Sequence, residues 1–123
     1  MLRPLLASAL LWLAAPAARA DEIRLVMVEE DGCIYCARWL AEIGPEYPLT
    51  PEGRAAPLLM VDIDEIPEAF ELASRPRFTP TFLLMDGTTE LARLEGYAGE
   101  DFFWGLLARM LDDNEIDWMG PWQ

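Results

Sequence analysis

Both cysteines of this chain lie in one short stretch, Asp31-Gly32-Cys33-Ile34-Tyr35-Cys36, at the point where an apolar strand pattern gives way to a helical one. Thiols two residues apart at a helix start occupy adjoining positions of one turn, close enough to form or break a disulfide. The first of them stands among backbone N–H groups that have no partner in the helix, and those groups stabilise a thiolate. A pair so closely spaced closes too small a loop to staple a fold, so the spacing favours redox chemistry over a structural bridge.

Residues 1–20 read as a secretory signal: Arg3 near the start, an apolar run from Leu5 to Ala15, Pro16, and the small-residue pattern Ala18-Arg19-Ala20, with cleavage expected after Ala20. The run is too short for a membrane anchor and is followed at once by Asp21 and Glu22. The expected mature chain has 103 residues, enough for one domain with a real core, and no other stretch is long and apolar enough to span a bilayer. Without Arg3 and Arg19, seven arginines face 22 acids, a net charge of −15, with no lysine and no histidine. That balance disfavours nucleic acid and anionic membrane surfaces as partners.

The remaining pattern is that of an α/β chain. A buried strand is expected over 23–28, and a helix over 33–43 with Cys33, Ala37, Leu40 and Ala41 on its apolar face. A short helical turn is expected over 52–56, a second buried strand over 58–64 and a short helix over 67–73. A strand over 78–85 and another over 89–95 flank Asp86-Gly87, a hairpin signal that makes them antiparallel. The last helix, over 100–111, presents Phe102, Phe103, Leu106, Leu107 and Met110. Residues 21–112 then form the domain, and the acidic tail over 113–123, with its tryptophans, reads as a loosely held terminus, with a partner-docking segment as the alternative.

This order, with Cys33-Ile34-Tyr35-Cys36 at the first helix, Thr79-Pro80 opening a strand and Asp86-Gly87 at the hairpin, resembles the thioredoxin superfamily. The resemblance implies a central mixed sheet flanked by helices, a cis Pro80 beside the disulfide, and a substrate-docking role for the backbone of Thr79. Stretches 33–39, 52–57, 77–82, 95–97 and 100–104 look more narrowly like the periplasmic SoxS-type thioredoxins of bacterial sulfur-oxidation systems. That likeness implies a periplasmic, monomeric thiol-disulfide oxidoreductase without a cofactor. It would reduce a disulfide or persulfide on a partner, such as the sulfur-carrier protein of a thiosulfate-oxidising system, and draw its electrons from an upstream membrane donor.

The chain departs from the thioredoxin pattern at two positions. Met27 and Met60 stand where that family usually carries a strand acid and a lysine, which suggests one apolar core in place of a buried charge pair. Glu29, where an aromatic residue is usual, is then the candidate proton acceptor for the second thiol, against the plainer reading of a solvated loop acid. Cys33 is the expected nucleophile and Cys36 the resolving thiol. Tyr35 is a candidate for the partner-facing surface, although aromatic side chains generally bury area, which assigns Tyr35 and Trp39 to packing. Glu29, Glu30 and Asp31 disfavour a thiolate at Cys33, so a reductant is expected and not a strong oxidant. Two rivals stay open: a disulfide isomerase or cytochrome-maturation reductase of the same fold, and a Cu(I) chaperone holding metal between Cys33 and Cys36. Metal binding is the weaker of the two, because Met27, Met60 and Met85 sit in strand patterns.

Overall fold

Strand β1, Ile23–Glu29, occupies the interior of the sheet. Its run Leu25-Val26-Met27-Val28 has no polar alternation and is buried throughout, as a strand covered on both faces requires. The computed structural model describes residues 22–120; the expected export signal and residues 121–123 of the tail lie outside the described residues. Four strands run in the order β2-β1-β3-β4. Strand β2, Leu58–Asp62, is parallel to β1, while β3, Thr81–Asp86, and β4, Thr89–Glu95, form an antiparallel hairpin whose first strand pairs with β1. The parallel pair needs a crossover, supplied by α1, Ile34–Glu42, a 3₁₀ turn, Tyr47–Leu49, and α2, Pro51–Ala55. Asp86 pairs with Thr89, so the hairpin loop is Gly87-Thr88, and Gly87 takes the positive φ (58°) that so tight a turn demands. Helix α3, Glu100–Asp113, closes the fold.

Alternation along the central strands builds two cores. Leu25, Met27, Phe82 and Leu84 face α1 and α3, where they meet Cys36, Trp39, Phe103 and Leu107. Val26, Val28, Leu83 and Met85 face the other way, under Ile63, Ile66, Phe70 and Leu72. This second cover is not a helix, contrary to the expectation over 67–73. Phe70 N–H closes a turn on the Pro67 carbonyl, and Glu71 pairs with the start of β4, donating to Thr88 and accepting from Glu90. A seven-residue helix is marginal alone, and here the strand edge offers the same backbone groups competing partners.

Three further expectations are corrected. Strand β2 is an edge strand, so Leu59 and Met60 are partly exposed and not buried. The buried face of α1 is Cys36, Trp39 and Ile43, with Ala37 and Ala41 exposed, because turning Trp39 inward removes far more apolar surface from water. On α3 the buried set is Phe103, Leu107, Met110 and Leu111, which leaves Phe102 and Leu106 exposed.

Trp39 anchors the first core, with ring centroids 5.9 Å from Tyr47, 5.2 Å from Phe82 and 5.5 Å from Phe103. Tyr47 ties the crossover down by donating its hydroxyl to the Ala56 carbonyl at 2.6 Å. The described tail is docked and not loose: Ile116 and Trp118 pack on the first core, and Trp118 Nε1 donates to Asp112 at 2.7 Å.

The start of α2 passes very close to the 3₁₀ turn, and a Cβ at Gly53 would lie 1.7 Å from the Tyr47 carbonyl oxygen. Gly53→Ala is therefore expected to cost about 1–3 kcal/mol of stability, read as a lower urea midpoint, because backbone must move to admit it. An unchanged midpoint would contradict this approach.

Burial pushes the Tyr47 phenol well above the usual tyrosine range, with the Glu52 carboxylate adding to the push. Burial does the same to Tyr97, reinforced by the hydrogen bond that its hydroxyl donates to Glu42 and by the Glu42 and Glu100 charges. Both groups hold their protons more tightly folded than unfolded, so their contribution to stability is fully present below the unfolded value of about 10 and is lost above it. The chain has no lysine and its cysteines are joined, which leaves tyrosine to dominate that range. Denaturant-measured stability should fall as pH rises above about 10, with a shallower fall in Tyr47→Phe.

Candidate active site

Strand β1 ends at Glu29, and a four-residue loop, Glu30 to Cys33, leads into α1. Gly32 turns the chain with a φ of 78°, and Cys33 N–H donates to the Glu30 carbonyl at 3.3 Å. Cys33 is the N-cap of α1, and its sulfur accepts from Cys36 N–H at 3.1 Å. A side chain in this position meets one of the orphan donors of the helix start, which is also where a thiolate would be held. Cys33 and Cys36 form a disulfide, with Cα atoms 5.2 Å apart. The two sulfurs are not equivalent: Cys33 is half-buried, whereas Cys36 is 3% exposed and belongs to the first core.

An open groove of about 390 Å³ runs along this loop and the first turns of α1. Ile34, Ala37 and Leu40 give it an apolar wall, Glu29, Glu30 and Asp31 an acidic one, and both cysteines contribute to its lining. Arg38, the nearest cation in sequence, turns elsewhere: it pairs with Glu42 at 3.5 Å and lies 5.8 Å over the Tyr97 ring. Beneath the disulfide the surroundings are apolar. Met27 is fully buried in the same core as Cys36, while its register partner Met60 is 42% exposed, so the expected single apolar core takes in only one of the two methionines. Met85 packs on the opposite face of the sheet from Met27, which prevents the strand methionines from converging on one site.

The segment before β3 comes to the same end of the sheet. Thr81 pairs with Val28, so Pro80, which is buried, stands beside the point where β1 gives way to the cysteine loop. The Thr79–Pro80 peptide is cis. Three hydrogen bonds hold this segment: Thr81 Oγ1 to the Phe78 carbonyl at 2.7 Å, Gly96 N–H to the Pro80 carbonyl at 2.8 Å, and Thr79 Oγ1 to Glu30 Oε1 at 2.8 Å. Among the described residues, neither the N–H nor the C=O of Thr79 takes a backbone partner.

Of the residues singled out from sequence, Cys33, Cys36 and Glu29 share the groove, and Thr79 and Pro80 are joined to its rim through Glu30. Tyr35 is 54% exposed, so the packing assignment holds for Trp39 and not for Tyr35. Sequence reasoning used the charge of Glu30 but not its bond to Thr79, and it did not reveal the bond between Glu42 and Tyr97. The partners in these bonds lie 49 and 55 residues apart in the chain, and no local period reports such contacts.

No family model matches this sequence, and no curated protein does. Among solved structures the chain is similar to the periplasmic thioredoxin SoxS from Paracoccus pantotrophus in its reduced form. The two are 57% identical with a TM-score of 0.73, over 76% of this chain and 99% of that one. With that identity over nearly the whole of the solved chain, and a Cys-x-x-Cys disulfide capping the helix after the central strand, the chain belongs to the thioredoxin family as a SoxS-type thiol-disulfide oxidoreductase.

Proposed function

We propose that this protein is an exported reductant of the periplasm, cleaved after Ala20, that reduces a cysteine disulfide or persulfide on a partner protein of sulfur oxidation. The reading takes its compartment from the periplasmic SoxS neighbour and from the signal pattern over 1–20, and its pathway from the resemblance to the thioredoxins of sulfur-oxidation systems. The observation that carries it is the asymmetry of the pair, one sulfur half-buried at a helix start and the other closed into the core.

In the reduced protein, the Cys33 thiolate attacks one sulfur of the partner's disulfide. A Cys33–partner bond forms and the partner's other sulfur leaves as a thiolate. Cys36 loses its proton and attacks Cys33 sulfur, which forms the Cys33–Cys36 disulfide and releases the partner's second thiolate. Two electrons have then passed to the partner, and an upstream membrane donor returns them. Glu29, in the groove with Cys36, serves as the proton acceptor in place of the missing strand acid. The unpaired backbone of Thr79 adds an extended partner segment as a short strand, Pro80 shapes the groove and Tyr35 faces the partner.

Cys36→Ser should capture the partner as a mixed disulfide in its own host, and Cys33→Ser should not. The opposite pattern would reverse the assigned roles. The acidic loop and the engaged Arg38 leave Cys33 without the neighbouring cation that a strong oxidant uses to stabilise its thiolate. Equilibration of the pair with glutathione should therefore give a potential of about −220 mV or lower. A value near about −120 mV would make the protein an oxidant.

A further inference from the structure

We infer that Glu30 is a positioning residue that sets the distance between the reacting cysteine and the strand-docking segment at Thr79-Pro80. The inference rests on the reductant reading above and deepens it. Glu30 holds both parts of the site at once. Its backbone carbonyl accepts from Cys33 N–H at 3.3 Å, and its carboxylate accepts from the Thr79 hydroxyl at 2.8 Å. The other two bonds that hold the segment tie it to itself and to the end of β4. Among the hydrogen bonds of the described residues, Thr79 to Glu30 is the one that joins the segment to the cysteine loop.

The chemistry of the bond suits that role. A hydroxyl donating to a carboxylate makes a charge-assisted bond, stronger than one between neutral groups. It also occupies the Thr79 side chain, leaving the Thr79 N–H and C=O for an extended partner. A protein disulfide reaches Cys33 only if its backbone lies along Thr79 while its sulfur meets the Cys33 sulfur, so it depends on the spacing between the two. A small disulfide needs no docked strand and depends far less on that spacing.

The test compares two probes, insulin as the protein disulfide and the uncharged bis(2-hydroxyethyl) disulfide as the small one, and reads the ratio of their kcat/KM values. The ratio is insensitive to the fraction of enzyme folded. It also cancels any change in Cys33 reactivity caused by removing the Glu30 charge. Glu30→Ala should lower the insulin-to-small-disulfide ratio roughly two- to tenfold, the range that a single accessible hydrogen bond supplies. Glu30→Gln keeps an acceptor and should restore most of the ratio. Thr79→Val should lower it to the level of Glu30→Ala, and the double variant should fall no further. If wild type reduces neither probe, the reductant reading itself fails. If wild type reduces both, the positioning role is overturned by an unmoved ratio in Glu30→Ala, by an equal fall in Glu30→Gln, or by additive losses in the double variant.

Discussion

Leu25, Val26, Met27 and Val28 are buried on both faces of the sheet, so β1 is satisfied only when both covers and both neighbouring strands are in place. One cover is the α1–α3 layer centred on Trp39 and Phe103, and the other is the irregular segment carrying Ile66, Phe70 and Leu72. Each Leu or Val withdrawn from water in this way contributes about 1.5–3 kcal/mol, well above the worth of a typical surface ion pair. The salt bridges along α1 and α3, Arg38–Glu42 and Arg109–Asp113, are exposed and add little.

The chemistry follows from where that strand stops. At Glu29 the chain leaves the sheet, and the register of β1 with β3 brings Pro80 to the same end. The start of α1 places the Cys33 sulfur where it accepts from the Cys36 N–H, while the inward turn of Trp39 carries Cys36 into the core. Exposure of one sulfur and closure of the other are thus by-products of the packing of α1. Two electrostatic influences on Cys33 then oppose each other. The helix start favours its thiolate, whereas Glu29, Glu30 and Asp31 disfavour it, and Arg38 is turned toward Glu42 and Tyr97.

Much of this was legible because it is written in short-range chemistry. The unbroken apolar run announced a covered strand, the cysteine spacing announced a redox pair, and Asp86-Gly87 announced the hairpin, each through residues no more than a few positions apart. Residues 67–73 were misread because their apolar spacing fits a helix as well as an extended cover. What decided between them was the edge of β4, which supplies partners to Glu71. The faces of α1 and α3 were misjudged for a related reason. Ala37, Ala41, Phe102 and Leu106 are apolar enough to face inward, but a helix can turn only one stripe to the core; on α1 the large Trp39 took it, and on α3 it went to Phe103, Leu107, Met110 and Leu111.

By itself the sequence determined the order and type of the main elements, the identity of the redox pair and the acidity of its surroundings, since these depend on local patterning and residue type alone. Tertiary structure decided that β2 is an edge, that Met60 escapes the core Met27 occupies, and that Tyr35 faces solvent. It also decided that Glu30 meets Thr79 across 49 residues of chain. The physical reason is common to these cases: burial and long-range hydrogen bonds depend on which strands become neighbours, and strand order is a property of the whole packed sheet.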